Sequence, residues 1–87
     1  MKSIWKAIYG NNEIRVENTW FNGEKLYVNE ILQDEQINWF PNNIRLTGHL
    51  VENGEKISIK ANLYSSLCLI GCSLFINDEK VKIYKIQ

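Results

Sequence analysis

Hydrophobic residues recur at every second position on both sides of one dipeptide. Ile44, Leu46, Gly48 and Leu50 precede Asn53-Gly54, and Ile57, Ile59, Ala61 and Leu63 follow it. Asn-Gly favours positive φ at both positions, which a two-residue type I′ hairpin requires. Folding the chain there sets Leu50 opposite Ile57, Gly48 opposite Ile59, Leu46 opposite Ala61 and Ile44 opposite Leu63. The other side of the ladder receives Arg45, Thr47, His49, Ser58, Lys60 and Asn62. One face is buried and the other is wet. A slip of one residue would invert every side chain, so the register is strongly specified.

Similar segments fill the rest of the chain, bounded by turn-forming residues. Strands are predicted at Ile4–Tyr9, Glu13–Trp20, Lys25–Val28, Ile31–Gln36, Asn43–Val51, Glu55–Leu63, Cys68–Ile76 and Lys80–Ile86. Breaks fall at Gly10-Asn11-Asn12, Asn22-Gly23, Asn29-Glu30, Pro41-Asn42, Asn53-Gly54, Ser65-Ser66 and Asn77-Asp78. No window holds a helical apolar period beyond about two turns; only Gln33-Asp34-Glu35-Gln36 could form a helical turn instead. At the second Asn-Gly, a two-residue loop would put the flanking apolar faces on opposite sides. A three-residue loop, Phe21-Asn22-Gly23 with glycine left-handed, predicts Asn18 opposite Leu26 and Val16 opposite Val28.

Cys68, Ile70, Cys72, Leu74 and Ile76 share one face of their strand, and Leu67, Leu69 and Phe75 lie on the other. A strand apolar on both sides is expected to be central or sandwiched. Its hairpin partner would set Val81 and Ile83 against the first face, and Tyr84 and Ile86 against the second. The pattern predicts an all-β fold, one small domain over residues 1–87. Its expected form is a two-sheet sandwich of about eight mostly antiparallel strands in hairpins, with a closed β-barrel as the alternative.

Composition narrows the function without naming it. A chain of 87 residues buries roughly 60–65% of its unfolded surface, which leaves little apolar area for an internal ligand cavity. Ten acidic and ten basic side chains cancel. Lys80, Lys82 and Lys85 form the nearest approach to a basic cluster, on a segment of alternating character where lysine commonly marks an edge strand. Nucleic acid is therefore not an expected partner. Met1-Lys2-Ser3-Ile4-Trp5-Lys6 lacks the apolar run of a secretory signal, and Leu63 to Ile76 is too short and interrupted for a bilayer, which needs about 20 apolar residues. The expected location is cytoplasmic, with no membrane partner. Eleven Asn, twelve Ile and eight Lys against two Arg suggest an AT-rich genome.

Residues able to carry chemistry are few. Cys68 and Cys72 on one extended strand would lie about 13 Å apart at ~3.3 Å per residue, beyond the roughly 7 Å reach of a disulfide. No second Cys or His pair completes a metal set, so both thiols are expected reduced and buried. His49, the only histidine, falls on the polar face beside Ser58 with no oxyanion hole or orienting acid. No phosphate loop, paired-carboxylate motif or metal signature occurs. The sequence reads as non-enzymatic, with no catalytic residue, cofactor or metal.

Two aromatic pairs are the best lead. Trp20-Phe21 precedes Asn22-Gly23, and Trp39-Phe40 precedes Pro41-Asn42. Adjacent strand residues face opposite ways, so each pair can close the core with one ring and present the other. An outward ring beside a loop suits a partner contact or a stacking platform for a sugar or base. Trp39, Phe40, Trp20 and Phe21 are thus the candidate contact residues. The expected function is a protein-interaction or assembly module, its partner a second copy of the chain (a homodimer) or another protein; a small-ligand, sugar-binding module is the alternative.

The run Ile14-Arg15-Val16-Glu17-Asn18, followed by Gly23-Glu24-Lys25-Leu26-Tyr27-Val28-Asn29, resembles core strands of the Fas apoptotic inhibitory molecule family. Leu74-Phe75-Ile76-Asn77-Asp78 is similar to that family's second hairpin, and Ile57-Ser58-Ile59-Lys60 to the strand before it. Glu30 and Asp78 stand where the family would place glycine. The resemblance implies a compact β-sandwich acting through protein contacts, and function does not follow from fold alone.

Overall fold

The computed structural model describes residues 2–19, 23–36, 44–66 and 69–87. The strands are β1 (Lys2–Tyr9), β2 (Asn12–Thr19), β3 (Gly23–Val28), β4 (Ile31–Gln36), β5 (Ile44–Glu52), β6 (Glu55–Ser66), β7 (Leu69–Ile76), β8 (Glu79–Val81) and β9 (Tyr84–Lys85). They form two antiparallel sheets, one ordered β4-β3-β2-β1-β9 and the other β5-β6-β7-β8. The fold is a two-sheet sandwich and not a closed barrel. Gln33 to Gln36 lie in β4 and not in a helical turn.

The β5–β6 hairpin has the register its sequence predicts. Leu50 pairs with Ile57, Gly48 with Ile59, Leu46 with Ala61 and Ile44 with Leu63. Their apolar side chains are buried, while Asn53 and Gly54 take φ of 53° and 77°. The core is completed from β7 by Cys72, Leu74 and Ile76. From the facing sheet come Trp5, Ala7, Ile14, Val16, Leu26 and Val28.

Three expectations need correction. The β2–β3 hairpin pairs Val16 with Leu26 and Asn18 with Glu24, so residues 20–22 intervene instead of 21–23. This register sets Val16 and Ile14 against Leu26 and Val28, whereas the predicted one would have faced Asn18 with Leu26. The β6–β7 ladder continues through Ser65–Ile70 and Ser66–Leu69, which moves the break from Ser65-Ser66 to residues 67–68. The last predicted strand is two strands: β8 pairs with β7, and β9 pairs with β1 of the other sheet.

That split changes what the final aromatic residues face. Val81 and Ile83 pack against the core as expected. Between them and Lys85 the chain changes sheets, so Tyr84 sits beside Lys6. Tyr84 and Ile86 are consequently exposed, each at 56%, and do not cover the second face of β7. Phe75 on that face is half-buried between its neighbours Lys60 and Lys80.

The two sheets are joined along one lateral side by side chains. Register shifts in β3–β4 between Leu26 and Tyr27, where Leu26 pairs with Asp34 and Tyr27 with Leu32. Gln33 is the extra residue of this β-bulge, and bulges re-aim a side chain. Gln33 lies against Gly48 of β5, so close that a Cβ on Gly48 would come within 2.9 Å of Gln33 Cβ. The Thr47 N–H donates to Asp34 Oδ2 at 2.9 Å, the His49 N–H to Gln33 Oε1 at 3.4 Å, and Gln36 Nε2 to the Arg45 carbonyl at 2.9 Å. Backbone groups on the edge of β5 are thus satisfied by β4 side chains, which blunts an edge that could otherwise template another strand.

Candidate functional site

The two-residue turns whose residues are described gather at one end of the sandwich. Gly10-Asn11, Asn29-Glu30, Asn53-Gly54 and Asn77-Asp78 each close a two-residue turn at one end. Gly10 starts its turn at φ 60°; Glu30 and Asp78 reach 69° and 65° without being glycine. The Glu52 carboxylate occupies the space beside Gly10 that a Cβ would fill, so the turns of the two sheets meet there. At the opposite end β2 stops before β3 starts, β4 before β5, and β6 before β7. Trp20 and Phe21 lie between the first of these strand pairs, and Trp39 and Phe40 between the second. All four lie outside the described residues, as does Cys68. What the topology settles is that the strands flanking both aromatic pairs meet at one end, β2, β3 and β4 in one sheet and β5 at the edge of the other.

A buried polar pair lies just inside this end. Glu24 shares the parity of Leu26 and Val28, so the strand period turns it into the core with them. It is 1% exposed. Its Oε1 accepts a hydrogen bond from Asn18 Nδ2 at 2.8 Å, and its Oε2 has no partner among the described residues. Loss of water raises the Glu24 pKa above its ordinary range, opposed by the Asn18 hydrogen bond and by a backbone one. Sequence reading missed this pair, although the alternation Ile14-Val16-Asn18 and Glu24-Leu26-Val28 carried the signal.

The remaining candidates separate rather than converge. Cys72 is buried and free, and burial pushes its thiol up to about 12, where a thiolate nucleophile is not available at neutral pH. His49 stands on the solvated face opposite Ser58. On the outer face of the other sheet Arg15 touches Glu17 at 2.8 Å and Glu30 at 2.6 Å, and lies 4.4 Å from the Tyr27 ring centroid. The hydrogen bond from Arg15 lowers the Glu30 pKa. Lys6 meets Glu13 at 3.2 Å and Lys2 meets Glu17 at 3.6 Å. This is a ladder of neutralised charges on a wet sheet face. Among the described residues no group of three or more His, Cys, Asp and Glu could hold a metal, and no helix is long and apolar enough to cross a membrane.

No protein-family model matches the chain, and neither curated proteins nor solved structures offer a match.

Proposed function

We propose that this domain is a non-enzymatic protein-interaction module that binds its partner through the end of the sandwich opposite the tight turns. Trp39 and Phe40 are its first anchors, and Trp20 and Phe21 its second. The observation that supports this reading is the shared end at which β2, β3, β4 and β5 stop. It assigns both aromatic-bearing connections to one end of a rigid scaffold, the arrangement from which loops commonly bind. Pro41 fixes its own φ and biases Phe40 toward extended geometry, so this ring loses little entropy on contact. The resemblance to the Fas apoptotic inhibitory molecule family, whose members act through protein contacts, agrees with this reading.

The test is a pair of substitutions, Trp39→Ala and Phe40→Ala, each measured for stability and for association by light scattering and partner capture. The expected result is that one variant stays within about 1 kcal/mol of the parent and loses association. Losses of ~3–5 kcal/mol at both positions would make the rings core aromatics. Capture of a glycan in place of a protein would replace the reading with the sugar-binding one.

A further inference from the structure

The two lateral sides of the sandwich are finished differently. Between β4 and β5 the edge is covered by Gln33, Asp34 and Gln36, as described above. On the other side β8 and β9 belong to different sheets, and no backbone hydrogen bond joins them among the described residues. β9 is the last strand of its sheet. The Ile86 N–H donates to the Ile4 carbonyl at 2.8 Å and so faces β1. Successive residues of an antiparallel strand alternate in direction, so Lys85 turns its N–H and C=O outward.

The charged side chains along this edge also meet no carboxylate among the described residues. Tyr84, paired with Lys6, and Ile86, hydrogen-bonded to Ile4, are exposed. Lys2, Lys6, Arg15 and Lys60 each have a carboxylate within salt-bridge distance. Lys80, Lys82 and Lys85 are exposed and have none among the described residues; Lys82 Nζ lies 5.4 Å from the Tyr84 ring centroid. The outward backbone groups of Lys85, the apolar side chains of Tyr84 and Ile86 and the positive charges of Lys82 and Lys85 thus coincide on β9 and the residues flanking it.

We propose that β9 takes an extended, acidic segment of another protein as an added strand of its sheet. The backbone of Lys85 would bind main chain to main chain, apolar residues of the segment would lie beside Tyr84 and Ile86 on one face, and its alternate carboxylates would reach Lys85 on the other, with an acidic residue beyond the apolar ones reaching Lys82. A second copy fits poorly, because paired β9 strands bring Lys82 and Lys85 against their own kind, and like charges across a ladder repel. Nucleic acid fits poorly as well, since a chain of zero net charge offers phosphates little beyond three lysines.

The test is a titration of the full chain with a short blocked peptide of alternating glutamate and valine, followed by amide NMR. The expected result is shifts confined to residues 82–87 and neighbouring β1, with slower exchange of the Lys85 amide. Lys85→Pro removes the outward donor at a place where an edge strand tolerates proline, and should abolish binding. Should Lys85→Pro disturb the fold, the Lys82→Glu, Lys85→Glu double variant decides instead. It should bind the acidic peptide about tenfold or more weakly and accept a lysine-valine peptide in its place. The inference is overturned by no shifts at ~1 mM peptide, by equal shifts with a single-stranded oligonucleotide, or by concentration-dependent shifts without any peptide.

Discussion

At the scale of single residues, Glu24 and Gly48 show how much one side chain is set by what faces it. Glu24 is a carboxyl on a core face, held by one hydrogen bond from Asn18. Its pKa is raised in the folded state, so its contribution to stability is fully present below the unfolded value. That contribution is lost as pH rises through the folded value. Denaturant melts across pH 4 to 8 should therefore show the parent weakening relative to Glu24→Gln, which keeps the acceptor and cannot ionise. Asn18→Ala removes the side-chain donor to a buried carboxyl, and should cost roughly 1–3 kcal/mol. Gly48 makes the opposite point. An alanine in a strand normally gains about 0.5–1 kcal/mol over glycine, yet here a Cβ would meet Gln33 Cβ at 2.9 Å. Overpacking costs roughly 1–3 kcal/mol and wins, so Gly48→Ala should lower the denaturation midpoint. A rise would show that Gln33 yields freely. The alternation around Glu24 and the glycine at 48 were legible in the sequence. The hydrogen bond and the close approach were not, because each needs the neighbouring strand in place.

At the scale of elements, hairpins were the most readable units and their junctions the least. The β5–β6 register followed from Asn53-Gly54 and two matched apolar faces, all local information. The β2–β3 register did not follow, since Asn22-Gly23 permits several loop lengths and only packing of Val16 on Leu26 chooses among them. The seam between β4 and β5 was invisible, because Gln33, Asp34 and Gln36 act on backbone atoms of a strand in the other sheet. Asp34→Ala removes the acceptor of the Thr47 N–H. Water can replace it at this exposed edge, so the expected loss is about 0.5–1 kcal/mol. Amide exchange is the sharper readout: Thr47 should speed up in the variant while Leu46 and Leu50 on the same strand stay protected. Equal acceleration along all of β5 would mean that the strand itself had loosened.

For the whole molecule, both sheets contribute to one core. Each sheet has a single apolar face, so neither can bury it alone. Far-ultraviolet circular dichroism and tryptophan fluorescence should therefore report one coincident unfolding transition. A fragment of residues 1–36, which carries β1 to β4 of one sheet, should remain unfolded; a folded fragment would contradict the shared core. Cys72 gives a thiol probe of the same event. Thiol reagents should react slowly there in native buffer, since burial both hides the sulfur and keeps it protonated, and rapidly once the chain is denatured.

Local chemistry decided that this protein is all-β, where its two-residue turns at Gly10-Asn11, Asn29-Glu30, Asn53-Gly54 and Asn77-Asp78 fall and which face of the β5–β6 hairpin is buried, because strand period and turn preference act over a few neighbouring residues. The candidate contact residues were legible only as aromatic pairs beside breaks; the common end of their flanking strands came from topology. Tertiary structure alone decided that the final segment divides between the sheets and leaves Tyr84 and Ile86 in water. It also decided that Glu24 is buried and that one lateral side is covered while the other is open. These outcomes depend on which strands become neighbours, a contest among long-range packings in which residues such as Trp5 and Lys85, far apart along the chain, settle the balance only after they meet.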